Sequence, residues 1–177
     1  MDNQTERGKT CCFIGHRKII ATEKLTTKLK SVLENLIIEH GVREFLFGSK
    51  SQFDDLCLEV VSELKESFPN IKRIYVRAEY PNIDDFYRNF LLKFYDDTYM
   101  PEKIENAGVA SYVERNREII DKSDFCVFYY DVNYRLSPRK SKTFGEILPK
   151  SGTKLAYEYA VNKTKAGKVI INLLDEL

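Results

Sequence analysis

Three short glycine-bearing segments constrain the fold of this chain, because each lies between a predicted strand, or the loop beyond it, and a predicted helix. The segments are Gly15-His16-Arg17, Gly48-Ser49-Lys50-Ser51 and Ser151-Gly152-Thr153. In a parallel α/β sheet such turns meet at the carboxyl edge, where helix N-termini and bare backbone amides can bind a phosphate. Three converging turns therefore predict a ligand of nucleotide size.

Short apolar runs alternate with amphipathic helical patterns along the chain. Strands are predicted at 10–14, 42–47, 71–76, 124–130 and 169–173, and helices at 23–40, after the Gly48 turn, and at 84–95, 112–122 and 153–165. Thr22 is the predicted N-cap of the first helix, and Gly41 its predicted end. Continuous apolar strands alternating with helices are typical of a parallel sheet covered on both faces. With right-handed crossovers, the pattern predicts a Rossmann-like, doubly wound α/β fold.

The length of 177 residues predicts a single domain, residues 1–177, with a full central sheet. An aromatic-rich excursion at about 78–108 departs from the alternating pattern and is expected to carry one helix. Its aromatic side chains could form a lid, a dimer surface or part of the core. Core packing is the default, because aromatic residues at helical spacing usually point inward.

Charge and hydropathy limit the partners of the chain. Its 28 basic and 27 acidic residues nearly cancel, which disfavours nonspecific binding to nucleic acid or to a membrane surface. No apolar run approaches the roughly 20 residues that span a bilayer. Residues 1–9 are polar and contain no apolar signal segment. The expectation is a cytoplasmic protein with no membrane contact.

Cysteine and histidine usage predicts no metal and no cofactor. The chain has four cysteines and two histidines and lacks a Cys-x-x-Cys pair, so a structural zinc site is disfavoured. The favoured interpretation is that Cys11, Cys12, Cys57 and Cys126 are small buried side chains in a reducing compartment. The alternative, Cys11 or Cys12 as a nucleophile, would need His16 as its base.

The first turn places two hydrogen-bond donors behind a glycine. Gly15 permits close backbone approach, His16 can stack or donate, and Arg17 offers a bidentate fork to a phosphate. The Gly-x-Gly-x-x-Gly and Walker motifs are absent, so the usual dinucleotide and NTPase sites are not predicted. The alternative is a tight turn in which Arg17 is solvated and His16 packs on a helix end.

The second turn has the composition of an anion-binding nest. Gly48, Ser49 and Ser51 precede a helix, so their amides and hydroxyls could bind a phosphate. Asp54 could cap that helix or accept a hydrogen bond from a ribose hydroxyl. A purely structural loop is the alternative.

Two further segments complete the predicted site. Ser151, Gly152 and Thr153 open the last long helix, although N-capping alone would also select a hydroxyl residue there. Arg115 and Asn116 lie on another helix, where they could face the ligand edge. A surface ion pair is the alternative for Arg115.

Taken together, these segments resemble the bacterial SLOG superfamily, specifically its YpsA-like branch. The string Thr-Cys-Cys-Phe-Ile-Gly-His-Arg at 10–17 is similar to the motif Cys-x-Phe-x-Gly-His-Arg, and Gly-x-x-x-x-Phe-Asp at 48–54 to the second motif. Arg115-Asn116 before 120–124, and 151–153 before Tyr159-Ala160, match the two later motifs. The resemblance covers about residues 10–172. It implies a Rossmann-like fold, a homodimer, and a ligand pocket lined by the three turns with Asp54, Arg115 and Asn116.

The resemblance implies a domain that binds and senses a nucleotide or an ADP-ribose-like molecule, with its phosphate at helix N-termini. The superfamily also contains the DNA-processing protein A family, so a DNA-binding adaptor is another hypothesis. The near-neutral charge disfavours it, because DNA binding depends on phosphate neutralisation.

A third hypothesis is a nucleoside-monophosphate phosphoribohydrolase, as in the LOG family of the same superfamily. In LOG enzymes a catalytic glutamate follows the Gly-Gly-x-Gly-Thr motif within three residues. Here Glu158 is five residues beyond Thr153, about 140° around the helix. Asp54, Glu59 or Glu79 would have to supply the carboxylate that stabilises an oxocarbenium-like transition state.

Overall fold

The computed structural model describes residues 8–136, 139–141, 145–147 and 151–175. The strands are β1 (Lys9–Gly15), β2 (Val42–Phe47), β3 (Lys72–Val76), β4 (Asp97–Tyr99), β5 (Phe125–Tyr129), β6 (Arg139–Ser141), β7 (Gly145–Ile147) and β8 (Val169–Asn172). The helices are α1 (Glu23–Ile38), α2 (Gln52–Ser67), α3 (Asp85–Leu91), α4 (Val109–Lys122) and α5 (Gly152–Asn162), followed by a 3-10 turn at Thr164–Ala166. Across these described ranges, no helix is both long and apolar enough to cross a membrane.

Six strands form one parallel sheet in the order β4-β3-β2-β1-β5-β8. The chain runs outward from β1 through β2 and β3 to β4, then returns to the other side of β1 as β5. This reversal confirms the predicted Rossmann-like, doubly wound α/β fold and makes the junction of β1 and β5 its topological switch point. Strands β6 and β7 form a separate antiparallel pair.

Helices cover both faces of the sheet, because successive side chains of a strand point to opposite sides. Cys11 and Phe13 of β1 belong to the core cluster that includes α1 and α2. Cys12 and Ile14 belong to the cluster that includes α4 and α5. Burial on both faces explains the continuous apolar sequence of β1. All four cysteines are fully buried, as predicted.

Side-chain caps fix the start of the first helix. The Thr22 hydroxyl accepts a hydrogen bond from the Leu25 N–H at 3.1 Å, which confirms the predicted N-cap. The helix ends at Ile38, so the predicted end at Gly41 lies too far along the chain. Gly41 has a φ of 70° and forms the turn into β2.

The aromatic-rich excursion differs from the prediction in two respects. The helix predicted at 84–95 spans only Asp85–Leu91, and the unpredicted strand β4 follows it at the edge of the sheet. Three residues are too few to show strand periodicity, and β3 supplies the pairing that defines β4. The Asp96 carboxylate strengthens this edge, since it accepts hydrogen bonds from the Arg73 backbone N–H at 2.8 Å and from Arg73 Nε at 3.1 Å.

Candidate functional site

The carboxyl ends of β1 and β5 lie side by side at the topological switch point. Gly15, the last residue of β1, is in register with Tyr129, the last residue of β5. The next backbone amide, of His16, donates to the Tyr129 carbonyl at 3.3 Å. Open α/β sheets bind ligands outside the carboxyl ends of their strands at such points. The residues that follow β1 and β5 therefore line the position where this fold favours a ligand.

His16 is buried at this junction, with only 2% of its surface exposed. Its Nε2 accepts a hydrogen bond from the Asp131 N–H at 3.0 Å, and its ring stacks on Tyr134 with 3.9 Å between centroids. Because Nε2 is an acceptor, the neutral ring must carry its proton on Nδ1. Nδ1 is buried and has no hydrogen-bond partner among the described residues. Burial lowers the pKa of His16, which favours this neutral form.

Packing within the protein requires a glycine at position 15. A Cβ on Gly15 would lie 2.3 Å from the ring of Phe53, which is fully buried. The Phe53 ring also packs on Tyr129, with 5.7 Å between centroids. This side chain of α2 fills the space above Gly15 in which the sequence predicted a close ligand.

The first turn is tied to the start of α2 through Arg17. The Arg17 carbonyl accepts a hydrogen bond from the Gln52 N–H at 2.9 Å, and Gln52 Oε1 accepts one from the Ile19 N–H at 3.0 Å. The Arg17 side chain is exposed. Its backbone is therefore fixed while its guanidinium is accessible to an anion.

The amides of the second turn bind a carboxylate of the chain itself. Asp54 Oδ2 accepts hydrogen bonds from the Ser49 N–H at 2.7 Å and the Gly48 N–H at 3.2 Å. The Ser49 and Ser51 hydroxyls are 2.9 Å apart, and Ser51 Oγ accepts a hydrogen bond from the Asp54 N–H at 3.0 Å. A phosphate at this nest would have to displace the Asp54 carboxylate.

Asp54 is a buried carboxyl group whose pKa is raised. It is 2% exposed, and burial raises its pKa from 3.8 to about 6, although Arg115 and the amides of Ser49 and Gly48 act in the opposite direction. Its second oxygen, Oδ1, is buried without a hydrogen-bond partner in the described part of the chain. Its titration therefore lies closer to physiological pH than that of an exposed carboxyl group.

Arg115 connects α4 to the second turn. It is 3% exposed, so the alternative of a surface ion pair is wrong. Its Nη1 donates to the Gly48 carbonyl, while Nε and Nη2 donate to Asn116 Oδ1 at 3.2 and 3.1 Å. Asn116 is half-buried and orients the guanidinium. Arg115 thus holds the loop before α2 at Gly48, and Asn116 holds Arg115.

The third turn has an open helix start. The Ser151 hydroxyl accepts a hydrogen bond from the Lys154 N–H at 3.0 Å, so Ser151 is the N-cap of α5. The amides of Gly152 and Thr153 have no acceptor among the described residues, as is usual for the first amides of a helix. Gly152 is exposed, and nothing lies within 4 Å of a Cβ built on it. The Gly152 amide lies at an exposed residue and has no acceptor in the described part of the chain, whereas the Gly48 and Ser49 amides of the second turn are already bonded to Asp54.

Aromatic rings connect α5 to the switch point. Tyr130 stacks on Tyr157 of α5 with 4.4 Å between centroids and lies 5.9 Å from the ring of His16. Thr153, which is buried, precedes Tyr157 by one helical turn and shares its face. Tyr130, Tyr134 and Tyr157 are not among the predicted site residues. The available signal was that Tyr130 and Tyr134 lie within five residues of the end of β5, at the edge where the site was predicted.

The described residues show no carboxylate where the resemblance to LOG enzymes would place one. Glu158 is exposed and pairs at 3.9 Å with a lysine one turn earlier. A hydrogen bond with Glu79 raises the pKa of Tyr112. Glu59 is exposed on α2. Asp54 is buried and already bonded to two amides. No group of His, Cys, Asp and Glu in the described ranges could hold a metal ion.

The fold and this edge define a doubly wound α/β domain with a candidate anion site at its switch point. The fold is similar to that of DNA processing protein A from Helicobacter pylori, a protein with a described single-stranded DNA binding mode. The TM-score is 0.54 at 16% sequence identity, over 93% of this chain and 66% of that protein. This chain therefore spans just under two thirds of the neighbour's length, and the likeness shows the fold alone. No protein-family model matches the sequence, and no curated protein matches it either.

Proposed function

We propose that this chain is a binding domain of the SLOG superfamily, in its YpsA-like branch, that senses a nucleotide-derived ligand. The observation that carries the proposal is the buried Nδ1–H of His16, a donor without a partner in the described part of the chain at the topological switch point. An unbonded buried donor costs stability. A ligand that accepts a hydrogen bond at this point would recover that cost.

The ligand's phosphate would bind at the start of α5. The open amides of Gly152 and Thr153 and the helix dipole favour an anion there, and the exposed Arg17 guanidinium supplies a charge-assisted contact. The start of α5 is favoured over the second turn, where a phosphate was also expected, because Asp54 already accepts hydrogen bonds from the Gly48 and Ser49 amides.

The base or ribose would lie toward His16. Tyr134 stacks on His16 and so offers an aromatic surface beside the Nδ1 donor. Ser49, Asp54, Arg115 and Asn116 form the adjoining wall, in which Asp54 could exchange its internal bonds for a ribose hydroxyl. Among the described residues, Asp54 is the one buried carboxylate at this edge of the sheet. Because it is already bonded to the Gly48 and Ser49 amides, it is not free to act on a substrate, and a role as a sensor is favoured over hydrolysis.

A thermal-shift screen tests the proposed function. Purified protein is heated with nucleotides, ADP-ribose derivatives, cyclic nucleotides and inorganic phosphate, and each mixture is then chromatographed. A ligand at 100 times its Kd stabilises by about 2.7 kcal/mol, which raises the Tm of a chain of this size by roughly 5–10 °C. Such a shift with the ligand recovered intact supports a sensor. Release of free base would instead establish a hydrolase, and no shift across the panel would contradict the proposal.

Single-stranded DNA binding is a second candidate function, favoured by the likeness to DNA processing protein A. It predicts that oligonucleotide affinity falls steeply as salt concentration rises. A fluorescence-anisotropy titration at two salt concentrations separates the candidates, because a nucleotide sensor without DNA affinity would leave the oligonucleotide signal unchanged.

A further inference from the structure

An aromatic stripe is exposed along α3 and the turn that follows it. The stripe consists of Phe86, Phe90 and Phe94, which are 83%, 47% and 47% exposed. Phe86 and Phe90 are four residues apart on α3 and therefore share one side of it, and Phe94, in the turn beyond Leu91, lies 5.7 Å from the Phe90 ring. The default expectation that these side chains pack in the core is therefore wrong for all three.

Neighbouring residues of α3 anchor the aromatic stripe to the core. Leu91 is buried and Tyr87 packs partly against the core. The Phe90 ring lies 6.5 Å from the ring of Tyr87 and 5.7 Å from that of Phe94. Taking about 200 Å² per phenylalanine side chain, the stripe exposes on the order of 350 Å². An apolar patch of this size is in the range of the largest patch on a typical monomer, and such patches are often functional.

A row of polar residues flanks the stripe, and its charge changes from negative to positive along its length. Asp85, Asn89 and Lys93 follow one another at intervals of four residues and are all exposed. Asp85 and Lys93 make no ion pair with any described residue. The row is therefore acidic at the start of α3, neutral in the middle and basic beyond its end.

We propose that the stripe is the interface with a second copy of this chain, packed with the two α3 helices antiparallel. A two-fold axis perpendicular to the helices would bring the aromatic stripes together. It would also set Asp85 of each copy opposite Lys93 of the other, with the two Asn89 residues at the axis. The row thus complements itself, as an interface between identical surfaces must.

The charged residues around the stripe favour a second copy of the chain over a nucleic acid as the binding partner. A single-stranded DNA site combines aromatic rings with a positively charged groove. Here Asp84 and Asp85 lie at one end of the stripe and offset Arg88 and Lys93. The stripe also covers less than the roughly 800 Å² that each partner buries in a standard interface, so the dimer is expected to be weak and to dissociate on dilution.

Sedimentation velocity over a concentration series provides the first test. The wild-type chain is expected to pass from monomer to dimer as its concentration rises, and Phe86→Asp and Phe90→Asp to remain monomeric. Ile38→Asp is the matched control, because Ile38 is 61% exposed on α1 and its substitution should leave the dimer intact. A wild-type monomer at every concentration would overturn the proposal.

Charge reversal tests the antiparallel arrangement. Asp85→Lys and Lys93→Asp should each weaken the dimer at least tenfold, and the double variant should restore it, because the pair is re-formed with opposite signs. A double variant as weak as the single variants would contradict this arrangement. Circular dichroism of each variant checks that the exposed substitutions leave the fold unchanged.

A cysteine at the axis gives an independent readout. The four native cysteines are fully buried, so Asn89→Cys introduces an exposed thiol that should form a disulfide-linked dimer under mild oxidation. Asn70→Cys, exposed in the loop between α2 and β3, should not. Equal cross-linking of both variants would place the interface elsewhere. Oligonucleotide binding that Phe90→Asp abolishes, with a monomeric wild type, would assign the stripe to nucleic acid and overturn the proposal.

Discussion

Arg115 lies directly against Gly48, and its guanidinium occupies the space that a side chain at position 48 would need. A Cβ built on Gly48 would be 2.7 Å from Arg115 Cδ and Nε, and Arg115 Nη1 donates to the Gly48 carbonyl. This contact joins α4 to the loop between β2 and α2. Gly48 does not have a positive φ, so its role here is to leave space for the buried Arg115 side chain and not to provide an unusual backbone conformation.

We expect Gly48→Ala to lower the free energy of unfolding by about 1–3 kcal/mol, because the displaced Arg115 would lose a buried hydrogen bond while remaining desolvated. Gly152→Ala is the control: nothing lies within 4 Å of its Cβ, and alanine in a helix stabilises by up to about 1 kcal/mol. Urea denaturation measures both. Equal effects of the two substitutions would show that Arg115 does not need a glycine at position 48.

The Asp54 carboxyl should make stability fall as pH rises from about 4 to about 6. Its folded pKa of about 6 exceeds the ordinary value of 3.8, so in this window the folded state binds more protons than the unfolded state. The difference corresponds to about 3 kcal/mol. Asp54→Asn keeps an acceptor for the amides but does not titrate. Its stability relative to wild type should rise by about that amount between pH 4 and pH 7, and an unchanged difference would mean that Asp54 ionises normally.

His16 should make stability fall as pH falls, which is the opposite of the effect of Asp54. Burial lowers its pKa from 6.5, so below pH 6.5 the unfolded state binds more protons, and stability is lost as pH falls toward the folded pKa. Protonation would also remove the Nε2 acceptor used by Asp131. His16→Gln should abolish this loss. Unfolding curves at pH 5.5 and 7.5 test it, with NMR titration of the His16 ring in the wild type as a direct measure.

The central strands and four of the main helices could be predicted from the sequence, because their periodicity is set by burial. The strand β4 could not be predicted, since Asp97–Tyr99 carries no pattern of its own and depends on pairing with β3. The aromatic stripe was misjudged for a related reason. Helical spacing shows that Phe86 and Phe90 share a face, but it does not show whether that face meets the core.

The position of the candidate site was predictable, whereas its internal bonding was not. The glycine turns mark the carboxyl edge through local sequence alone. That Asp54 fills the nest of its own loop, and that Phe53 occupies the space above Gly15, depends on side-chain directions that only the folded chain defines. Tyr134 was missed because its contact with His16 spans more than 100 positions of sequence.

Arg17→Ala should separate ligand binding from stability. The Arg17 side chain is exposed, so its removal should change the free energy of unfolding by less than about 0.5 kcal/mol. Loss of a charge-assisted phosphate contact should weaken binding of a phosphorylated ligand by about 1.5–3 kcal/mol, which is roughly tenfold or more. Lys72→Ala, at the amino end of β3 on the opposite edge of the sheet, is the control that should bind normally. Isothermal titration with the ligand found in the thermal-shift screen measures the affinities, and an Arg17→Ala protein that binds as tightly as wild type would remove the guanidinium from the site.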